Sequence, residues 1–277
     1  MTLKELYGEG IEALEFADVE SPEVDAFYLL QHVTGVDRAH YLLDKDRTVT
    51  EAAVEGYMTL IRRRAAHEPY QYITGETEFM GYKIKVTPDV LIPRLDSEVV
   101  CEEALKIIKA DDTVLDMCTG SGCLAIAIKK ERASAQVWAS DISQAALEVA
   151  KENAKINEAD ISFCKGDLFE AINGDLRFDC VISNPPYVTE DEYKELTLEV
   201  RDNEPKLALT AGAEGLDIYE RLVPEAFHRL KEGGHLVMEM GCSQGIALTA
   251  LMKDAGYKNI RVIKDLAGLD RAVLGER

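Results

Sequence analysis

The 277-residue chain is short of positive charge: 31 Lys and Arg stand against 51 Asp and Glu, a net charge of −20. A protein that grips duplex nucleic acid by its phosphates needs a basic face, so this balance excludes a generic nucleic-acid binder and leaves room only for a local basic patch. Long apolar runs are missing too. The longest unbroken one, Cys123 to Ile128, falls far short of the roughly 18 residues of a membrane span. Glu5, Glu9, Glu12 and Glu15 interrupt the N-terminal stretch, so no secretory signal is expected there. The six cysteines contain no CxxC pair and mostly sit in apolar stretches, which points to reduced, buried thiols in a cytoplasmic protein rather than to a disulfide or metal set. The five histidines are scattered, and no Ser/His/Asp or Cys/His set is in evidence. Internal repeats and low-complexity tracts are absent.

What is present is enough for a packed core, since 47% of the residues are apolar. The first 70 residues have helical spacing, with Leu3, Leu6, Tyr7, Ile11 and Leu14 on one stripe. Ser21-Pro22 opens a second helix that Gly35 stops, and Thr50 caps a third that runs to about Ala66. Between 72 and 88, aromatic and β-branched residues with Gly75 and Gly81 predict a hairpin. From Asp96 onward strands and helices alternate. Strands are expected at Thr113–Met117, Gln136–Ser140, Ile161–Lys165, Phe178–Ser183, His235–Met240, Lys258–Lys264 and Leu269–Leu274. Short apolar strands separated by helices imply an α/β fold with a mostly parallel sheet covered on both faces. The long polar interval Val188 to Leu216 is the exception, and an insertion of that kind over a sheet edge often covers a substrate.

Thr113 to Asp116 is an apolar strand ending in an acid, followed by Met117-Cys118-Thr119-Gly120-Ser121-Gly122 and an apolar helix. Two glycines allow a tight turn that brings backbone close to a ligand at a helix N-terminus. Asp141 ends the next strand, where an acid can take both hydroxyls of a ribose. The ligand is therefore nucleotide-like, a dinucleotide or S-adenosylmethionine. Asp116 disfavours a pyrophosphate by like-charge repulsion and favours a ligand with an ammonium and a sulfonium. Asp167, after the third strand, can accept from an adenine amino group.

The strand Phe178–Ser183 runs straight into Asn184-Pro185-Pro186-Tyr187. Two prolines remove two backbone donors and leave rigid carbonyls. A planar NH₂ group accounts for all four residues: the Asn184 oxygen accepts one N–H, the Pro185 carbonyl the other, and Tyr187 offers a flat face. An amide or exocyclic amine is a poor nucleophile because its lone pair is delocalised. Fixing it against a methyl sulfonium is catalysis by position and electrostatics, so methyl transfer to an sp² nitrogen is the expected chemistry.

The chain closely resembles the protein-(glutamine-N5) methyltransferases that modify peptide chain release factors. The resemblance rests on Pro69 to Gly75 with Phe79, Leu91-Ile-Pro-Arg94 with Ser97-Glu98, Asp116 to Gly122, and Ser183 to Tyr187. It continues through Glu204-Pro205, Gly215-Leu-Asp217, Glu239-Met-Gly241 with Gln244, and Asp265 to Arg271. It implies a seven-stranded, Rossmann-like class I S-adenosylmethionine-dependent methyltransferase domain at 91–277 whose last strand is antiparallel. It also implies a helical substrate-recognition domain at 1–70 and a β-hairpin linker at 71–90. The implied substrate is the glutamine of the Gly-Gly-Gln loop of release factors. By matching positions, Asp116, Cys118, Thr119, Gly120, Ser121, Gly122, Asp141, Asp167, Leu168 and Asn184 would bind S-adenosylmethionine. Asn184, Pro185, Pro186 and Tyr187 would hold the glutamine amide. Three positions depart from the family pattern: Cys118 stands in place of a usual Gly, Leu168 in place of a common aromatic, and Leu95-Asp96-Ser97-Glu98 in place of Pro-Glu-Thr-Glu.

Two rivals share the chemistry. A ribosomal-protein glutamine methyltransferase would use the same fold and motif, and a DNA adenine-N6 methyltransferase would need a target-recognition domain and a basic cleft. The tight basic cluster Arg62-Arg63-Arg64 reads as the solvated last turn of a helix, where cations suit the dipole; a docking patch for the release factor or its RNA context is the other reading. The acidic stretch Glu190 to Glu204 beside the substrate motif suggests a basic partner surface. A cytoplasmic monomer without metal, direct nucleic-acid contact or membrane is the expectation.

Overall fold

Thr2 starts the first helix, α1 (Leu3–Phe16), through a capping box: its hydroxyl accepts from the Glu5 N–H while the Glu5 carboxylate accepts from the Thr2 N–H. Helix α2 (Pro22–Thr34) begins with proline in its first turn and ends on Gly35, whose φ of 68° only glycine adopts without cost. A short α3 (Arg38–Asp44) and the Thr50-capped α4 (Glu51–Ala65) follow, then α5 (Tyr70–Thr74). Their apolar faces meet in a core that includes Leu6, Leu14, Leu29, Leu30, Tyr57 and Ile61. The computed structural model describes residues 1–170 and 172–277 in full and residue 171 by its backbone. It divides into two units, Met1–Gly75 with Thr197–Asn203, and Glu76–Leu196 with Glu204–Arg277.

The helical unit corrects two expectations. Tyr72 and Ile73, expected in the hairpin, lie in α5, which Gly75 ends at φ 79°. The Thr74 side-chain hydroxyl donates to the Tyr70 and Gln71 carbonyls and so occupies acceptors of this last turn. Arg64 is not solvated either: it is 3% exposed, with Nε donating to Asp25 at 2.6 Å and Nη2 to Glu199 at 2.6 Å. Arg62 and Arg63 remain exposed, as a last helical turn allows.

In the second unit the hairpin is β1 (Glu76–Phe79) and β2 (Tyr82–Lys85), joined by Met80 and Gly81 at φ 51° and 78°. Positive φ at both turn residues matches the twist of a tight antiparallel pair. The alternating region supplies α6 (Leu95–Ile107), β3 (Thr113–Met117), α7 (Cys123–Glu131), β4 (Gln136–Asp141), α8 (Gln144–Ile156), β5 (Ile161–Lys165) and β6 (Phe178–Ser183). The long interval contains α9 (Glu190–Glu195) and α10 (Leu198–Asn203), and α10 belongs to the helical unit. Then come α11 (Asp217–Arg229), β7 (Leu230–Glu239), α12 (Gly245–Ala255), β8 (Lys258–Lys264) and β9 (Asp270–Glu276).

The seven strands β3 to β9 form one sheet in the order β5-β4-β3-β6-β7-β9-β8, and β9 runs antiparallel to both neighbours. This is the α/β fold expected, including the reversed last strand. The central strand β3 is buried along its whole length, as a parallel strand covered on both faces must be. Strand order reverses at β3: β4 lies on one side of it and β6 on the other. Ligands of open α/β sheets bind in the crevice outside the strand ends at such a point.

Candidate cofactor and substrate site

A cavity of ≈ 340 Å³ opens at that crevice, within the size range of small-molecule sites. Its wall is built from the residues that follow four parallel strands: Cys118 to Ser121 after β3, Asp141 to Ser143 at β4, Gly166 to Leu168 after β5, and Asn184 with Pro186 after β6. Pro205, Leu207, Ala208 and Thr210, from the long polar interval, also line it. Among the expected cofactor residues, Cys118, Thr119, Gly120, Ser121, Asp141, Asp167, Leu168 and Asn184 face the cavity, whereas Asp116 and Gly122 lie behind it. Of the expected amide-holding residues, Asn184 and Pro186 line the wall; Pro185 is buried and Tyr187 half-buried beside them.

Asp116 shapes the glycine loop from behind. Its Oδ2 accepts from the Thr119 hydroxyl and from the Ala125 N–H at 3.1 Å, which ties the turn to the first turn of α7. Its Oδ1 is buried with no hydrogen-bond partner among the described residues. Burial pushes the carboxyl pKa up to about 7 against those two hydrogen bonds, with the charge of Asp141 adding to the rise. Gly122 is left-handed at φ 82°, where a side chain is strained, and an added Cβ would also stand tightly at 3.1 Å from the Cβ of Ala150. At Gly120, φ 53°, an added Cβ would meet no protein atom within 4 Å.

Asp141 holds the loop from the neighbouring strand. Oδ2 accepts from the Gly120 N–H at 2.9 Å and Oδ1 from the Ser143 N–H at 2.8 Å. A carboxylate offers about four acceptor positions, so this one keeps acceptor capacity for a ribose hydroxyl. Burial raises its pKa, opposed by the N–H donors of Ser143, Gly120 and Ile142. Asp167 accepts from Arg221 Nη2 at 2.8 Å, a partner that sequence spacing did not indicate, and both residues line the cavity. Cys118 and Leu168 both adopt left-handed backbone, at φ 62° and 49°. A residue with a Cβ is strained there, which gives a physical reason for the usual Gly at position 118.

Asn184, beside Ser97 in the cavity wall, heads a polar chain. Its Nδ2 donates to Ser97 Oγ at 3.1 Å, Ser97 donates to Glu239 Oε2, and the Tyr187 hydroxyl donates to Glu239 Oε1 at 3.2 Å. Ser97 is 2% and Glu239 1% exposed. Gln244 holds the motif from its other side: Nε2 donates to the carbonyls of Tyr187 and Gly215, each at 3.1 Å. Gly215 is obligatory, since a Cβ there would sit 2.2 Å from the Tyr187 oxygen. Ser97, Glu239 and Gln244 carry no motif chemistry of their own in the sequence; only their place in the family pattern marked them.

The acids expected to face a basic partner are partly engaged within the chain. Glu199 pairs with Arg64, Glu204 with Arg94, and Glu190 with Lys206 at 3.0 Å. Glu204 also accepts from the Ile92 N–H, so Arg94 and Ile92 are fixed by the acid that precedes Pro205.

The donor set fits S-adenosylmethionine. An unanswered carboxylate oxygen behind the loop is stabilised by a positive ligand, the acid at the tip of β4 keeps acceptor capacity for a ribose, and the lining acids Asp89, Asp141 and Asp167 outnumber its one base, Arg221. Phosphates would meet repulsion from the same groups. The fold is that of a methyltransferase from Pyrococcus furiosus, with a TM-score of 0.56 at 19% identity over 77% of this chain and 98% of that one. Residues 87–201 match the family described as Methyltransferase small domain, and residues 5–75 the PrmC N-terminal domain.

Fold and site together define a class I S-adenosylmethionine-dependent methyltransferase. Full-length relatives narrow the class. A release factor glutamine methyltransferase from Koribacter versatilis is 39% identical over 100% of this chain and 99% of its own length. Another, from Moorella thermoacetica, is 40% identical over 100% and 99% respectively. The chain belongs to the release factor glutamine methyltransferase family.

Proposed function

We propose that the chain methylates the side-chain amide N5 of the glutamine in the Gly-Gly-Gln loop of peptide chain release factors, acting in the cytoplasm as a monomer. The observation that carries this reading is the register of β3 against β6. Met117 pairs with Ser183, so the glycine loop and Asn184-Pro-Pro-Tyr187 leave adjacent strands side by side and share one cavity. The net charge of −20 supports a protein side chain rather than a nucleic-acid base as the acceptor.

When bound, S-adenosylmethionine supplies an electrophilic methyl group on a positively charged sulfur. Cys118 to Ser121 and Asp141 would form its cradle, Asp116 would add negative potential from behind, and the Asp167–Arg221 pair would border it. On the substrate side, Asn184 Oδ1 accepts one amide N–H and the Pro185 carbonyl the other, at the Pro185–Pro186 peptide where Pro186 reaches the wall. Two acceptors on one NH₂ orient its nitrogen and draw electron density toward it. The nitrogen so held would face the methyl group that the bound cofactor supplies, and on accepting it would give up one N–H proton to water. No strong base is needed, because position and field supply the acceleration.

Asn184→Ala tests the assignment. The variant should still bind cofactor, yet lose roughly 100-fold or more in turnover, the scale of removing an oriented transition-state contact. Full turnover would remove Asn184 from the role.

A further inference from the structure

The geometry points to Ser97 and Glu239 as positioning residues that fix which way the Asn184 amide faces, and so turn Asn184 from a neutral wall residue into a one-way acceptor for the substrate N–H. The inference rests on the glutamine reading above and adds to it the device that orients its central residue.

An Asn side chain presents an oxygen on one edge and NH₂ on the other, and nothing in its shape distinguishes them. Its surroundings decide. The ionised carboxylate of Glu239 can only accept, and it takes hydrogen bonds from Ser97 on Oε2 and Tyr187 on Oε1. Ser97 has a single hydroxyl hydrogen, and Glu239 takes it. The Ser97 oxygen is then left as an acceptor, and the group facing it at 3.1 Å must be the Asn184 NH₂. Flipping the amide would set two oxygens against each other in a buried place, where an unmade hydrogen bond is costly. Asn184 Oδ1 is therefore turned away from Ser97.

The fold supplies each member of the chain separately. Ser97 sits in the first turn of α6, Asn184 follows β6, and Glu239 ends β7, whose Met238 pairs with Ser183. The relay depends on Glu239 keeping its charge. Burial raises its carboxyl pKa above the ordinary value and Asp96 adds to the rise, while the hydrogen bonds from Ser97 and Tyr187 and the charge of Arg271 oppose it. Arg271 is itself held by Asp265 at 3.1 Å and Asp96 at 3.2 Å. With a neutral Glu239 the chain of donors could run in either direction, and the amide would lose its preferred face.

The test is a double-mutant cycle read in single-turnover methylation of an intact release factor. Ser97→Ala is expected to lower the rate about tenfold, with KM for the release factor and cofactor affinity changed by less than about twofold. Ser97→Thr keeps the hydroxyl and should recover most of the rate. Glu239→Gln, which can donate or accept toward Ser97, should fall between them. In an Asn184→Ala background, Ser97→Ala should have little further effect, because the residue through which it acts is gone. Full additivity in the two backgrounds, or a Ser97→Ala rate equal to the parent, would overturn the inference. An inactive parent that still binds cofactor would instead count against the glutamine reading, and melting temperatures of the variants separate either outcome from misfolding.

Discussion

The Gly120 N–H donates to the Asp141 carboxylate at 2.9 Å, 21 residues further along the chain, so the acid that suits a ribose also holds the glycine loop that forms the floor of the site. The two functions can be separated. Asp141→Asn keeps an oxygen for the Gly120 donor and loses the charge and part of the acceptor capacity. Asp141→Ala loses both. Calorimetry should therefore rank cofactor affinity as parent, then Asn about tenfold weaker, then Ala weaker by a further tenfold or more. Equal losses would mean that the loop does not depend on this bond.

Asp116 predicts a proton linkage. Its folded-state pKa is pushed up to about 7, above the ordinary 3.8, so between these values the folded chain holds a proton that the unfolded chain has lost. The stability contribution of this group is thus greatest in acid and falls as pH rises through that window. A cationic ligand favours the ionised form, so binding near pH 6 should release a proton and affinity should rise toward about pH 8. Calorimetry in buffers of different ionisation enthalpy measures that release directly. Asp116→Asn keeps an acceptor for Thr119 and Ala125, and should melt higher than the parent above about pH 7 while losing the proton release.

Position 118 carries strain that glycine would relieve. Cys118 is left-handed at φ 62°, where a Cβ costs about 1–2 kcal/mol. Glycine recovers that cost and gives back about 0.5–1 kcal/mol through its freer unfolded chain. Cys118→Gly should therefore be neutral or stabilising by up to about 1 kcal/mol, and Cys118→Val, with a β-branched side chain, should destabilise by more than about 1 kcal/mol. Denaturant midpoints decide between them.

Within the helical unit, Arg64→Ala should cost about 3–5 kcal/mol, because it leaves the buried Asp25 carboxylate without its cation. The exposed neighbour Arg62→Ala should cost less than about 0.5 kcal/mol. Thermal melts of the two variants side by side give the comparison.

Most of the fold could be read from the chain. Each of the seven catalytic strands lies where apolar runs between helices indicated, although β7 begins at Leu230 rather than His235. Short helices escaped. In α3 only Tyr41 is buried and in α9 no residue is, so neither shows an apolar stripe, and the Thr189–Glu192 capping box was the one local sign of α9. Tyr72 and Ile73 have strand-forming side chains, but the left-handed Gly75 closes a helix around them. The glycine loop, the strand-end acids and the Asn-Pro-Pro-Tyr motif were legible because each is local in sequence. The partners that orient them were not. Ser97 and Glu239 are 142 residues apart, Arg64 and Glu199 are 135, and no spacing rule links residues so distant. Arg64 looked like its exposed neighbours until its two carboxylates came into view.

The most direct measurement supplies methyl-labelled S-adenosylmethionine together with an intact release factor, with its Gly-Gly-Ala variant, or with duplex DNA. Label should enter the parent release factor and be absent from the Ala variant and the DNA. Undiminished label on the Ala variant, or label on the DNA, would contradict the assignment of the glutamine amide as the methyl acceptor.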